Sequence, residues 1–516
     1  MHLCFAEELR ALEERAQQEY GIFPGTLMDS AAEALYEALI HDTPAVPEEV
    51  LILCGGGNNG ADGYTLAALC RERDIRTSVI SVFEPTSPLC RERAYSCNTL
   101  DSPLFSFEGR DRVLCENLIR RATVIVDCVF GIGYDAKREP DPRFWDFCRL
   151  LSDSNAFIIS ADVPSGLDSD SGAFYRENGK AALVFADLTV TFTASKPALE
   201  TAPGLQAAGK VKCVSVGIPE ELLQCEKPRA FLADHTLRKL LPKREDETSK
   251  ANYGKLLSYC GSRDMPGAAL LASLGALRCG VGLLTCTGYE DVLNVLKGRL
   301  CEPIYLPFVE TFDKETDTER TKQALLRRLP SQTAILVGCG IGTGREQELF
   351  LEFLLSESNC PVVCDADALT ILSAREDLLE TYGEKLILTP HPGEMARLFH
   401  TNATEVQLDR IRLATAFSAR YGCTVVLKGN RTVVSSPDGR LCINPFGNPG
   451  MAKAGMGDLL AGMIAAFAAQ KVLPFDAATL GVYLHAKAGD LCRDALGEMS
   501  MLTHDVADFI GHAARE

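Results

Sequence analysis

Short runs of β-branched and aliphatic residues alternate with helix-length segments along this chain, and they do so twice, on either side of a charged stretch. Parallel strands need long crossovers, usually helices, so such alternation closes a parallel sheet with helices on both faces. In the first half, strands are expected at 50–54, 76–83, 122–127, 156–161, 188–193 and 210–216. Two opening helices, about 3–20 and 26–40, precede them, and a third is expected from about Tyr64 to Arg73 after a glycine-rich loop. In the second half, strands are expected at 255–260, 282–286, 334–337, 361–365, 385–389 and 424–428, with a helical tail from near Asp458. Between the halves, PKREDETSK is charged and lacks apolar periodicity. The expected organisation is one α/β domain over 1–219, a linker over 220–250 and a second α/β domain over 251–516.

Charge and cysteine usage narrow the possibilities. The 52 basic and 70 acidic residues leave a net charge of −18, which argues against nucleic acid or an anionic membrane as partner. Local backbone N–H groups can still hold a phosphate. The 20 cysteines are scattered and include no CxxC pair, so neither zinc nor a disulfide framework is indicated. Buried thiols in a reducing cytoplasm account for them. The N-terminus is amphipathic and acidic, unlike a signal peptide, and the longest uncharged apolar run, 459–469, is too short to span a bilayer. A homo-oligomer is expected.

In the first half, CGGGNNGADG (54–63) follows a strand and opens a helix. Glycines there let backbone approach a ligand, and a helix N-terminus favours an anion. Asp127 closes TVIVD before FGIGY; Asp162 and Ser165 lie in SADVPSGLD. Carboxylates at the C-terminal ends of parallel strands line the usual ligand crevice, although a single one is often just a turn former. Asn, Asp and Ser oxygens also suit a hard cation.

In the second half, MPGAALLASLGALRCGVGLLT (265–285) reads as close packing. GCGIGTG (338–344) follows an apolar strand, and TPHPGEMARL (389–398) sets His391 and Glu394 just after another. NPGMAKAGMGDLLAGMIAA (448–466) runs from a glycine loop straight into an apolar helix, where Gly455 and Gly457 leave an anion hole. Asp458 at that point is either a helix cap or a general base deprotonating a hydroxyl that attacks a phosphoryl group. The second arrangement resembles ribokinase-like small-molecule kinases.

Taken in order, NNGADG, VDCVFGIG, DVPSGLD and TFTASKPALETAPG resemble the epimerase domain of the NAD(P)H-hydrate repair enzymes. PGAALLA, GCGIGTG, DADAL, TPHPGEM, VVLKGNRTVV, GNPGMAKAGMGDLLAG and HAKAGD resemble their ADP-dependent dehydratase domain. The resemblance implies a Rossmann-like three-layer αβα domain followed by a ribokinase-like αβα domain. It implies that Asn58, Asn59, Gly60, Ala61, Asp62, Gly131, Ile132, Gly133, Tyr134, Asp135, Ala136, Lys137 and Asp162 contact the hydrated nucleotide. Asn59, Asp127 and Ser165 would bind potassium. In the second domain Ala269, Gly342, His391 and Asp458 would contact substrate, and Lys428, Gly429, Asn430, Arg431, Thr432 and Gly457 the adenine nucleotide, with magnesium. Ala61 and Ala198 stand where the family commonly has glycine; Lys453 and Met456 replace small or hydroxylated residues, and Ser249 a frequent histidine.

The activity implied is a two-step repair of NADHX and NADPHX. The first domain epimerises C6, with Asp162 assisting departure and return of water. The second dehydrates the S form at the expense of ADP, giving AMP and phosphate, with Asp458 as base. One rival is an ATP-dependent vitamin or sugar kinase fused to a regulatory nucleotide-binding domain, which leaves NNGADG and DVPSGLD unexplained. Another is a non-catalytic nucleotide sensor.

Overall fold

A computed structural model describes residues 1–99, 103–223, 228–308 and 315–515. The chain forms two compact units, His2–Phe231 and Leu232–Glu516, with Met1 falling in the second. The division lies within the 220–250 segment, ahead of the charged stretch.

A seven-stranded sheet builds the first unit: β1 (Glu49–Cys54), β2 (Arg76–Ser81), β3 (Leu104–Ser106), β4 (Val124–Cys128), β5 (Phe157–Ala161), β6 (Leu188–Phe192) and β7 (Lys210–Val214). Their order is β7-β6-β5-β4-β1-β2-β3, and every pairing is parallel. The chain therefore leaves β1 toward one edge and returns on its other side. That topological switch point opens a crevice beyond the carboxyl ends of β1 and β4. Side chains alternate across the pleat. Val50, Ile52 and Cys54 pack with α2 (Pro24–His41), α3 (Asn58–Glu72) and α4 (Pro88–Thr99). Leu51 and Leu53 pack with α5 (Arg112–Arg121) and α6 (Pro142–Ser152), giving three layers. An opening helix, α1 (Ala6–Tyr20), precedes them.

Helix α3 corrects the sequence reading. It begins at Asn58 rather than near Tyr64, so NNGADG is helix, not loop. Its glycines mostly serve packing. A Cβ on Gly60 would lie 1.9 Å from the Gly55 carbonyl oxygen, and one on Gly55 equally close to that of Val129. Gly57 faces open space.

The second unit repeats the logic. Its strands are β8 (Lys255–Tyr259), β9 (Leu283–Gly288), β10 (Ile304–Pro307), β11 (Ala334–Val337), β12 (Val362–Cys364), β13 (Leu386–Leu388), β14 (Thr424–Leu427), β15 (Val433–Ser435) and β16 (Leu441–Ile443). They lie in the order β16-β15-β14-β13-β12-β11-β8-β9-β10, parallel from β10 to β14, with an antiparallel β14-β15-β16 meander. The switch point falls between β8 and β11, where Gly261 N donates to Cys339 O at 2.7 Å.

Helices α7 (Pro266–Arg278) and α8 (Met456–Ala469) cross backbone to backbone. A Cβ on Gly275 would lie 2.3 Å from the Leu459 carbonyl oxygen, and one on Gly462 2.0 Å from that of Ala272. The small-residue stretch from Met265 is thus close packing, and it fixes the helix that carries Asp458. Two opposing effects decide the outcome of Gly462→Ala. Helix propensity favours alanine by about 1 kcal/mol. The backbone clash forces the helices apart, an overpacking cost of about 1–3 kcal/mol or more. The clash should win, and the variant should unfold at lower denaturant than the parent. A neutral or stabilised variant would show that the two helices part freely.

Candidate active sites

In the first unit the loops after β1 and β4 and helices α1 and α2 enclose a cavity of about 390 Å³. Of the expected contacts, Asn58, Asn59, Asp62, Gly131, Ile132, Gly133, Tyr134 and Asp162 line it. Gly60, Ala61, Asp135, Ala136 and Lys137 are not among the lining residues. Gly60 and Ala61 are buried, while Asp135 accepts from the Lys137 amide at 3.0 Å and pairs with Arg138. Two lining residues carry buried polar atoms without partners, Asn59 Nδ2 and Tyr134 Oη. Unpartnered buried groups are rare in native folds and mark places where a ligand completes the bonding.

Charge is organised around Asp162. Its backbone is in the left-handed region, φ 66°, and its carboxylate accepts from buried Lys196 and from Phe192 N at 3.2 Å. Lys196 also donates to Thr191 Oγ1 at 2.7 Å and Phe192 O at 3.0 Å. At Asp62 the charge of Arg93 is outweighed. Burial, followed by the charges of Asp162 and Glu13, pushes its carboxyl well above the usual range. A lysine-paired carboxylate and a carboxyl that burial pushes toward its neutral form are suited to act as an acid–base couple in one cavity. Sequence reasoning missed Lys196 as a partner, and Glu13, a lining residue from α1. Their signals were a lysine in the quoted TFTASKPALE and the placement of α1.

Asp127 lies beneath the cavity, fully buried. Oδ1 accepts from Ser165 Oγ at 2.6 Å and Val129 N at 3.2 Å; Oδ2 accepts from Ser160 Oγ and Ser165 N, each at 2.9 Å. These bonds oppose its burial, which still raises the carboxyl above its ordinary value. Asn59 packs against Gly131, its Cβ and Cγ each 3.3 Å from where a Gly131 Cβ would be.

In the second unit, polar groups follow four successive strands: Cys339 after β11, Asp365 after β12, Thr389 after β13 and Lys428 after β14. Asp365 Oδ1 accepts from Lys428 Nζ at 2.6 Å and Thr389 Oγ1 at 2.7 Å; the Cys339 thiol lies 3.8 Å from Oδ2. Burial opposes the charge on Lys428, but Asp365 and Glu394 outweigh it and hold the ammonium above its ordinary pKa. A Cβ on Gly457 would stand 3.2 Å from Lys428 Nζ, so glycine lets the start of α8 close on this pair.

Asp458 is not the cap of α8. Gly455 takes that position, at φ 89°, and Asp458 is the third helical residue. Ligand atoms of Asp458, Asp365 and Cys339 lie within 4.8 Å of one another. Burial, reinforced by the charge of Asp365, pushes the Asp458 carboxyl up to about 6. That is a value at which a general base is still ionised near neutrality yet can take a proton.

The remaining expected residues fall on the same rim or beside it. His391 caps helix α9 (Pro392–Leu398). Its Nδ1 accepts from Gly393 N at 3.0 Å, so Nε2 carries the proton toward Glu394 Oε1 at 3.3 Å. Gly342 N donates to Asp367 at 2.8 Å, and Ala269 packs under Gly261. A cavity of about 700 Å³ is lined by His391, Lys428, Gly429, Asn430, Thr432 and Gly457, but not by Ala269, Gly342, Arg431 or Asp458. Met456 lines it too, whereas Lys453 turns away to the carbonyls of Met499 and Met501. Asp365 and the lining His485 were not singled out in the sequence, although DADAL and HAKAGD contain them.

Comparison with known proteins identifies the family. Residues 256–512 match the family model described as NAD(P)H-hydrate dehydratase, and residues 24–198 that described as YjeF-related protein N-terminus. The bifunctional NAD(P)H-hydrate repair enzyme Nnr of Moorella thermoacetica is 32% identical, covering 100% of this chain and 97% of that protein. The Escherichia coli enzyme of the same name is 31% identical, covering 97% and 92%. Among solved structures, the ADP/ATP-dependent NAD(P)H-hydrate dehydratase from Bacillus subtilis, co-crystallised with ATP and Mg2+, is 31% identical. It covers 55% of this chain and 98% of that one, at a TM-score of 0.46.

The elevated Asp458 pKa sets a stability signature. A carboxyl raised in the fold contributes stability that is fully present below its unfolded value near 4 and is lost as pH rises through about 6. Asp458→Asn cannot ionise and escapes that loss. The variant should therefore gain thermal stability over the parent as pH goes from 4.5 to 7.5, by about 2 kcal/mol. A gap that does not change with pH would mean that burial does not govern this carboxyl.

Proposed function

The chain belongs to the bifunctional NAD(P)H-hydrate repair enzymes, and from that premise we propose that it restores hydrated NADH and NADPH in two steps. The full-length match to enzymes of that name supports this over a vitamin or sugar kinase with a regulatory domain. The observation that carries the chemistry is Asp458, at the start of α8, beside the buried Asp365–Lys428 pair.

In the first unit the hydrated ring enters the 390 Å³ cavity. The ring nitrogen lone pair expels the C6 hydroxyl as protonated Asp62 supplies the proton, and a cyclic iminium forms. Asp162, held by Lys196, faces the positive ring. Water then returns to either face of C6 and gives its proton back, so the net reaction only inverts C6. Asn59, Asp127 and Ser165 offer the hard oxygens that potassium takes; the unpartnered Asn59 atom is the amide Nδ2, a donor, so a cation would be met by Oδ1. Asp127 already accepts four hydrogen bonds, so the ion would share an oxygen with Ser165. Potassium there would supply fixed positive charge near an anionic substrate.

In the second unit Asp458 takes the proton of the C6 hydroxyl as that oxygen attacks the β-phosphorus of ADP and AMP leaves. The amides at the start of α8 and Lys428 stabilise the charge on the transferring group. Hydroxide is a poor leaving group and phosphate a good one. The ring nitrogen expels phosphate, C5 loses a proton, and the dihydropyridine is restored. NADHX or NADPHX plus ADP gives NADH or NADPH, AMP and phosphate. Magnesium does not fit a protein cage here. Of the three converging groups one is a thiol and another, Asp365, is bound to Lys428 and Thr389. The ion would arrive on the nucleotide phosphates, as magnesium commonly does. We place the enzyme in a reducing compartment, the cytoplasm, since the described cysteines form no disulfide and are mostly buried. Among the described residues no helix is long and apolar enough to cross a membrane.

The test is NADH absorbance recovered from mixed R and S hydrates, with and without ADP. The parent should recover NADH from both epimers only with ADP. Asp458→Asn should bind ADP and interconvert the epimers but lose dehydration by about 10²–10⁴-fold. Dehydration at near the parental rate by Asp458→Asn would sink the mechanism.

The potassium assignment has its own readout. Replacing K+ by a bulky organic cation, or Asp127→Ala, should slow interconversion and leave S-hydrate dehydration nearly intact. Loss of both activities in a soluble Asp127→Ala protein would assign Asp127 a purely structural role.

A further inference from the structure

Among the polar side chains lining the 700 Å³ cavity, Asn444 and His485 each carry a buried atom without a partner, and the repair reaction uses neither. Helix α10 (Pro474–Leu496) presents Val482, His485 and Ala486 to it, at the i, i+3, i+4 spacing of one helix face. Met456 and Leu460 of α8 continue that wall, and Phe446 lies on the lining as well. The Phe446 ring is fixed edge-on to Tyr483, with centroids 5.5 Å apart, and Lys487 Nζ stands 5.1 Å from it. The result is a largely apolar slot suited to a flat ring.

His485 is 7% exposed, and its Nε2 is buried without a hydrogen-bond partner. A buried ring nitrogen with no partner costs free energy that native folds avoid unless something else recovers it. Burial, with the charge of Lys428 adding to it, pushes the imidazole down to about 4, so the ring is neutral at physiological pH. A neutral imidazole among Leu460, Val482 and Ala486 is poorly suited to phosphate. Lys428 and the start of α8 at Gly457 serve that purpose at the same cavity. The edge of a nucleobase carries uncharged donors and acceptors, which is what a neutral imidazole can pair with.

We infer that His485 recognises the base edge of the nucleotide and sets the preference for adenine. This rests on the reading of the cavity as the adenine-nucleotide site. Binding brings the imidazole the hydrogen bond that it otherwise lacks, so His485 contributes affinity and selectivity and takes no part in phosphoryl transfer.

The experiment uses the full chain carrying His485→Leu or His485→Gln. Thermal unfolding is followed with and without ADP, and KM and kcat for S-hydrate dehydration are measured with ADP, GDP and 2′-deoxy-ADP. His485→Leu should melt no lower than the parent without ADP, because it removes an unpaired polar group, and should gain less stability from ADP. Its KM for ADP should rise about 3–10-fold, the value of one neutral hydrogen bond, with kcat nearly unchanged. Its preference for ADP over GDP should shrink by a similar factor, and His485→Gln should recover part of both. An unchanged KM and ADP/GDP ratio would make His485 a core residue and overturn the inference. Altered discrimination against 2′-deoxy-ADP alone would move the contact to the ribose and overturn it equally. If His485→Leu does not fold, the ADP/GDP ratio of His485→Gln decides, since glutamine places its hydrogen-bonding groups differently from imidazole and an unaltered ratio excludes base recognition. If the parent itself shows neither stabilisation by ADP nor ADP-dependent NADH recovery, the nucleotide reading of the cavity fails, and the role of His485 fails with it.

Discussion

A parallel sheet buried on both faces has no room for polar side chains along its middle, so the chemistry of such a fold is forced to the strand ends. The second unit follows this constraint closely. All four residues of β11 are fully buried and apolar, and the first polar side chains beyond successive strands are Cys339, Asp365, Thr389 and Lys428. In the first unit Asp127 is the penultimate residue of β4, and Asp162 immediately follows β5. Each switch point then gathers loops that are distant in sequence around one opening, and the glycine contacts beneath bring helix starts close enough to complete it.

Both units also solve the electrostatic problem in the same way. Each buries one carboxylate against a lysine, Asp162 with Lys196 and Asp365 with Lys428. Each leaves a second carboxyl nearby, Asp62 and Asp458, whose pKa is raised by burial and by its charged neighbour. A buried ion pair adds little net stability once desolvation is counted. Here the charge of the paired carboxylate also helps to raise the second carboxyl, the direction that acid–base chemistry near neutral pH requires.

Much of this was legible in the residues because long apolar runs announce central strands whatever surrounds them. The strands at 50–54, 334–337 and 424–428 lie within a residue of their expected limits. The short edge strands Leu104–Ser106 and Ile304–Pro307 and the hairpin strands Val433–Ser435 and Leu441–Ile443 were not expected, since three or four residues carry too little periodicity. The start of α3 was hidden because glycine is a poor helix former; only contact with Val129 and Gly55 explains a helix there. Asp458 was visible beside its glycines, but whether it caps the helix was not. Capping depends on a one-residue register that Gly455 decides through its positive φ. Lys196, Asp365, Glu13 and His485 matter through partners far away in the chain, which no local pattern reveals.

Carrying both units on one polypeptide has a consequence at the level of supply. One copy of each site is made every time the chain is translated, so their ratio cannot drift with gene dosage, transcription or separate turnover. On the proposed reading, a cell that accumulated only the R hydrate would be reporting a kinetic defect in the first unit, never a shortage of it. A frameshift or nonsense lesion early in the first unit would remove both capacities together, whereas a truncation near the C-terminus would leave a protein that scrambles epimers it can no longer clear.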